Sequence, residues 1–234
     1  MINAEVLGVV TARGGSKSVP RKNILPLLGK PLICYTLDTA RASRSLGRLV
    51  VSTDDEEIKS ISQAAGVDVI DRPEVYAKDT SRTEEALIHA IDVLAQTESY
   101  EPDVVVTLEP TSPLRSVGLI DRCVRELVES EADAVVSVVD TNALVGRIVE
   151  GRFEYLIPNQ PRRRQEREPL YVESSTVYAT NAKKLRETRS VLGTCLHAVV
   201  AEPEEALDIN TPLDFVIVES VMKWHSQKDG GYEH

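Results

Sequence analysis

Short runs of β-branched residues alternate with helix-length amphipathic segments through the first two-thirds of this chain, and that alternation constrains the fold more than any other feature. Residues 6–11, 49–53, 67–70, 104–109 and 134–139 read as buried strands. Between them, 31–45, 54–65, 83–95 and 117–129 carry apolar residues at helical spacing. Pro31 suits a first helical turn, and the acidic run Asp54, Asp55, Glu56, Glu57 suits the positive end of a helix. The expected fold class is therefore α/β, a mostly parallel sheet with helices on both faces. Such sheets bind ligands beyond the carboxyl ends of their strands, so a site is expected in the residues following Thr11, Thr53, Ile70 and Leu108.

The pattern changes near Asp140. Residues 144–149 and 153–157 resemble a hairpin, followed by a polar, Arg-rich stretch over 159–168. A strand over 171–180 and a closing helix over 211–224 come next, and the tail from Ser226 is expected to fray. Residues 140–175 are thus an expected arm or lid extending from a single domain over 1–234. Among the 234 residues, 42% are hydrophobic and 27% charged, which excludes disorder and a membrane protein as default classes. With 27 Lys+Arg against 37 Asp+Glu, the net charge of −10 argues against a nucleic-acid partner. No apolar run reaches the length of a bilayer span, and no secretory signal is visible. Cys34, Cys123 and Cys195 are widely spaced and read as buried thiols of a reducing compartment. A soluble, cytoplasmic protein is expected.

Three segments carry the chemistry. The first runs from Ala12 to Asn23, directly after the first strand, as ARGGSKSVPRKN. Gly14 and Gly15 let the backbone turn tightly and present N–H groups to a ligand, while Arg13, Lys17, Arg21 and Lys22 neutralise the charge of a nucleoside triphosphate. A Walker loop is excluded, because its Gly-Lys-Ser/Thr ending is missing. In the second, LEPTSPLR over 108–115, two prolines fix a loop where Thr111, Ser112 and Arg115 offer donors at the sheet's edge. An ordinary strand-to-helix connection capped by Ser116 accounts for the same residues. The third is DINTPLDF over 208–215. Asp208 and Asn210, alternating on an extended segment, can present oxygen to one Mg²⁺, and Thr211 with Pro212 can begin a helix. Arg162, Arg163, Arg164 and Arg167 form a charge run that either grips a carboxylate or makes a solvated face. Asp54 and Asp55 read as a helix start, and His89 and His197 as packed histidines.

Together the stretches ARGGSKSVPRKN, LGKPLICYTLDTA, VVSTDDEEI, DRPEVYAKDTSRTEEALIHAI, LEPTSPLR, ADAVVSV and DINTPLDF resemble the acylneuraminate cytidylyltransferase family, the CMP-sialic acid synthetases, in order and over most of the chain. The resemblance implies a Rossmann-like nucleotidyltransferase fold with a protruding dimerisation arm, hence a homodimer. It implies Mg²⁺-dependent transfer of CMP from CTP to the anomeric hydroxyl of a free keto acid sugar of the sialic, legionaminic or pseudaminic type, with release of pyrophosphate. By the same resemblance Arg13, Lys17 and Lys22 hold phosphates and are the catalytic residues. Ala12, Gly14, Gly15, Ser16, Asn23, Arg72 and Thr83 complete the nucleotide site. Glu109, Arg164, Gln165, Ser174 and Ser175 fall at the acceptor sugar, and Asp208 with Asn210 falls at the metal. Three departures stand out: Glu109 where the family usually has Gln, Asn210 where it has a second Asp, and Ser174-Ser175 where it has Asn-Gly. An eight-carbon keto acid or phosphonate acceptor, GTP in place of CTP, and nucleotide binding without turnover are the alternatives.

Overall fold

The computed structural model describes residues 4–16 and 18–229. Among the described residues there are eleven strands and six α-helices, and over residues 4–141 the main ones follow the expected alternation. They run β1 (Val6–Thr11), β2 (Pro26–Leu27), β3 (Lys30–Pro31), α1 (Leu32–Ala42), β4 (Arg48–Thr53), α2 (Glu56–Ala64), β5 (Asp68–Asp71), α3 (Thr83–Glu98), β6 (Val104–Leu108) and α4 (Val117–Glu129). After these come β7 (Ala134–Thr141), β8 (Gly146–Val149), β9 (Arg152–Tyr155), β10 (Leu170–Asn181), α5 (Ala182–Thr188), β11 (Leu196–Val200) and α6 (Pro212–Asp229).

Seven strands form one sheet in the order β11-β7-β10-β6-β1-β4-β5. All neighbours are parallel except β10, which lies antiparallel to both β6 and β7. Its direction follows from its connection. Between β7 and β10 the chain makes the hairpin β8–β9 and a short 3-10 turn but no crossover α-helix, and it returns beside β7 in the opposite direction. Alternate strand residues supply two cores. Val10, Val51, Val106 and Val135 pack with Ile33, Ile58 and Leu119 on one face, and Leu7, Val9, Val50 and Val105 pack with Leu87, Ile91 and Leu185 on the other. A smaller cluster of Leu27, Leu32, Ile209 and Val218 seats α6.

Helix starts follow the sequence with one adjustment. The Asp55 carboxylate accepts from the N–H groups of Glu57 and Ile58, each at 3.0 Å, and Ser116 Oγ accepts from Leu119 N at 3.0 Å. Pro31 sits just outside α1 with ψ 135°, so the helix begins at Leu32. Helix α5 and strand β11 were not expected from the sequence. The first is only seven residues long, and β11 is half-exposed, so neither carries a long apolar pattern. The hairpin β8–β9 forms a two-stranded sheet of its own, and residues 230–234 of the expected frayed tail lie outside the described residues. Of the cysteines, Cys123 is buried as expected and Cys34 partly so, but Cys195 is exposed. Among the described residues no helix is long and apolar enough to cross a membrane.

Candidate active site

Strands β1, β4, β5 and β6 end in register, because Thr11 pairs with Ser52, Val10 with Leu108 and Thr53 with Asp71. The segments that follow them enclose a cleft of about 530 Å³. Arg13, Ser16, Lys22 and Asn23 line it from the first loop, Arg72 and Thr83 from beyond β5, and Glu109 and Asn210 from the opposite wall. These expected residues, distant in sequence, are brought together. Lys17 lies outside the described residues.

The glycine loop is held shut by its own polar groups. Asn23 Nδ2 donates to the Arg13 carbonyl at 3.0 Å, and Gly14 N donates to Asp54 Oδ1 at 3.0 Å. Ala12 is fully buried, its N–H donating to the Ser52 carbonyl at 3.1 Å, so it supports the loop from behind. Gly14 and Gly15 lie in the loop without lining the cleft. Arg21 corrects the expectation of four triphosphate-facing cations. Its guanidinium turns away to Asp55 at 2.6 Å and also pairs with Glu57, fastening the loop to the start of α2. Arg13 meets Asp79 Oδ1 at 2.9 Å.

Two buried arginines brace the walls. Arg72 donates to Ser52 Oγ and the Ser52 carbonyl at 3.0 and 2.6 Å, and burial, partly offset by Asp54, lowers its pKa to about 10. Arg115 donates to the carbonyls of Thr176 and Glu109, both at 2.7 Å, and to Thr36 Oγ1 at 3.2 Å. Burial lowers its pKa to about 10 as well. Arg115 is thus a scaffold for the 108–115 loop, whereas Thr111 of that loop lines the cleft with its hydroxyl buried and unpaired.

At the base of the cleft, Lys22 Nζ donates to the Ile209 carbonyl at 2.6 Å and to Asn210 Oδ1 at 3.5 Å. Burial pushes its pKa down, against the opposing pull of Asp208, Glu109 and Asp214. Burial, and then Asp208, push the Glu109 carboxyl up. Asp208 Oδ1 is buried without a partner, and Oδ2 accepts the Asn210 amide at 2.6 Å. An orphaned carboxylate oxygen beside a second carboxylate fits a hard divalent cation, and Mg²⁺ is commonly held by one or two carboxylates plus substrate phosphates. Asp208 thus keeps an oxygen free of any protein partner, whereas the Asn210 amide nitrogen is spent on Asp208 and its oxygen faces Lys22. Thr211 and Asp214 reciprocate hydrogen bonds at the start of α6, so the helix-start reading of this segment also holds.

The expected acceptor residues divide. Glu109 faces the cleft. Ser174 is buried, its hydroxyl engaged with Ser137 at 2.7 Å, and stiffens β10 against β7 instead of facing a sugar. Ser175 occupies the left-handed conformation, φ 54°, where β10 slips register against β7. Arg164 and Gln165 lie in an exposed turn of the excursion and do not reach this chain's cleft. Arg167 directs three donors at the carbonyls of Pro161, Asn142 and Arg162, which closes that loop. His89 is partly buried and stacks on Tyr76 at 5.5 Å, while His197 pairs with Glu126 at the surface. Sequence reasoning missed Lys78, Ser81 and Arg82, which line the cleft before α3. They lie inside the stretch DRPEVYAKDTSRTEEALIHAI that carried the resemblance, and two cations in a turn-rich segment beyond β5 were their signal.

The cytidylyltransferase family profile matches residues 7–208. The N-acylneuraminate cytidylyltransferase of Escherichia coli O18:K1:H7 is 26% identical over 239 residues, covering all of this chain but 56% of that protein. The CMP-N,N'-diacetyllegionaminic acid synthase of Legionella pneumophila is 29% identical over 231 residues, covering 95% of this chain and 98% of that one. In fold, the chain is similar to CMP:2-keto-3-deoxy-manno-octonic acid synthetase complexed with CTP, with a TM-score of 0.68 at 18% identity, covering 94% of this chain and 99% of that one.

Proposed function

The chain belongs to the cytidylyltransferase family, and from that premise we propose that it transfers CMP from CTP to the anomeric hydroxyl of a free nine-carbon keto acid sugar of the sialic, legionaminic or pseudaminic type. The observation that carries this reading is the convergence of Arg13, Lys22, Arg72, Lys78 and Arg82 on one cleft at the carboxyl ends of the strands. A tetra-anionic nucleotide is the kind of ligand such a lining neutralises, in a protein whose net charge is otherwise −10. Relatives named for sialic, legionaminic and pseudaminic acids favour the nine-carbon acceptor class.

In the reaction the acceptor hydroxyl gives up its proton to solvent as its oxygen forms a bond to the α-phosphorus. The bond from that phosphorus to the bridging oxygen breaks, and pyrophosphate departs with the electron pair. Arg13 and Lys22 hold the phosphates and stabilise charge as it builds on the leaving group. Ser16, Asn23, Arg72 and Thr83 border the nucleotide, with Lys17 in the same loop. When bound at Asp208, Mg²⁺ supplies further neutralisation of the triphosphate.

The 234 residues act as one nucleotidyltransferase domain with 140–175 as its arm. Ile148, Phe153 and Leu156 on that arm are 77, 54 and 60% exposed, an apolar surface that a second copy of the chain would cover. In such a homodimer Arg164 and Gln165 reach the partner's acceptor pocket. The need for CTP and the free thiols favour a cytoplasmic location.

The test is pyrophosphate release with each nucleoside triphosphate crossed against nine-carbon and eight-carbon keto acid sugars. Release requiring CTP and a nine-carbon acid is expected, and Lys22→Ala should lower it by roughly 10²-fold or more. A preference for GTP or for an eight-carbon acid would overturn the corresponding half of the proposal, and no release with any pair would overturn turnover itself.

A further inference from the structure

We infer that Glu109 is a ligand of the divalent cation, forming with Asp208 a two-carboxylate site at the base of the cleft. The inference rests on the cytidylyltransferase reading for the identity of the cation, and it moves Glu109 from the acceptor's side to the metal's.

Backbone geometry brings the two carboxylates together. Ile209 N donates to the Thr111 carbonyl at 2.9 Å, which fastens the extended segment 208–210 alongside the turn that begins at Glu109. Ile209 is fully buried among Leu27, Leu32 and Val218, and Asn210 lines the cleft, so Asp208, which also alternates with Ile209, lies on the same side of the segment as Asn210. On the facing wall, Arg115 spends a donor on the Glu109 carbonyl at 2.7 Å, and Thr36 Oγ1 approaches the same oxygen at 3.4 Å. The backbone of Glu109 is thereby pinned while its side chain lines the cleft.

No described residue hydrogen-bonds to the Glu109 carboxylate. Asp208 Oδ1 is equally unpaired and is buried. A buried acceptor left without a donor is costly, and carboxylates rarely tolerate it. Lys22 directs its hydrogen bonds to the Ile209 carbonyl and Asn210 Oδ1 instead, and Arg115 spends its donors on the carbonyls of Thr176 and Glu109 and on Thr36 Oγ1. What the two carboxylates lack is a directly bonded cation, and Glu109 faces the cleft that takes the phosphates. Oxygen ligation by one or two carboxylates, completed by phosphate and water, is the habit of Mg²⁺. Asn210 contributes by holding Asp208 Oδ2 at 2.6 Å, which orients the aspartate without ligating the ion.

The probe is Mn²⁺, titrated into the full chain without nucleotide and followed by electron paramagnetic resonance, with folding checked by circular dichroism. Wild type should bind one Mn²⁺ that Mg²⁺ displaces, and Glu109→Gln should weaken binding by roughly tenfold or more. Glu109→Asp, which keeps the charge on a shorter arm, should lose less. No Mn²⁺ bound by wild type, equal affinity in Glu109→Gln, or equal losses in the Asp and Gln variants would overturn the assignment. These readings need neither CTP nor turnover, so failed pyrophosphate release with intact Mn²⁺ binding would sink only the enzymatic reading.

Discussion

Arg13 Nη1 lies 2.9 Å from Asp79 Oδ1 across the mouth of the cleft, which ties the glycine loop to the segment preceding α3. Both side chains are more than a third exposed, and pairs of that kind are worth about 0–1 kcal/mol. A triphosphate arriving at Arg13 has to displace this carboxylate and is also repelled by it. Asp79→Asn should therefore tighten CTP binding by roughly two- to fivefold, read by calorimetric titration of CTP. Weaker binding in the variant would mean that Asp79 positions Arg13 for the nucleotide.

The two loop glycines are not equivalent. A Cβ at Gly14 would fall 2.5 Å from Asp55 Oδ2, whereas one at Gly15 would meet nothing within 4 Å. Asp55 both caps α2 and holds Arg21, so displacing it loosens the loop and the helix together. Gly14→Ala should cost about 1–2 kcal/mol, the scale of a lost N-cap, while Gly15→Ala should stay within about 0.5 kcal/mol. Thermal unfolding of both variants checks this, and equal losses would remove the close approach as the reason for Gly14.

The parts of this architecture that were legible in sequence are those where burial forces a pattern. Strands enclosed on both faces must be apolar runs, so β1 and β6 were bounded to within a residue, and the loops after them marked the cleft. Side-chain direction was not legible. Arg21 sits among the loop's cations in sequence, yet a left-handed backbone, φ 59°, turns it to Asp55. Lys78 and Arg82 reach the cleft only because the chain beyond β5 folds back over it, a tertiary fact with no local periodicity. Helix α5 did carry a readable signal in Asn181, whose side chain accepts from Lys184 N at 3.1 Å. Strand β11 depends on Asp133, far away in sequence.

Asp133 supplies a pH-dependent prediction. Its Oδ2 accepts from Thr194 Oγ1, Thr194 N and Cys195 N at 2.5, 2.9 and 3.1 Å, pinning the entry to β11. The Thr194 bonds, with Cys195 and Lys184 adding to them, hold its pKa down to about 2 against an ordinary 3.8. A carboxylate depressed on folding stabilises the native state above its unfolded pKa, and that contribution is lost as pH falls through the folded value. Asp133→Asn should therefore lower the unfolding temperature at pH 7, with the gap to wild type closing between about pH 4 and pH 2. A gap independent of pH would show that the charge of Asp133 does not matter.

Ser175 is the residue at which β10 slips register, and it holds φ 54° with neighbours on both sides locked. Ser174 is tied to Ser137, and Thr176 Oγ1 lies 3.2 Å from the carbonyls of Ser174 and Glu205, so the backbone cannot relax out of the left-handed region. For a residue with a Cβ that region costs about 1–2 kcal/mol, and glycine is free of this cost. Glycine loses about 0.5–1 kcal/mol more conformational entropy on folding, which returns part of the gain. Replacing Ser175 itself also removes its hydrogen bond with Tyr178, so the clean comparison is between two variants that both lack the hydroxyl. Ser175→Gly should exceed Ser175→Ala by about 0.5–1 kcal/mol, or about 1–4 °C in unfolding temperature for a chain of this size. If the alanine variant proves equally or more stable, the left-handed turn is not under strain, and the preference for glycine at this point must come from the approach of a ligand to the backbone.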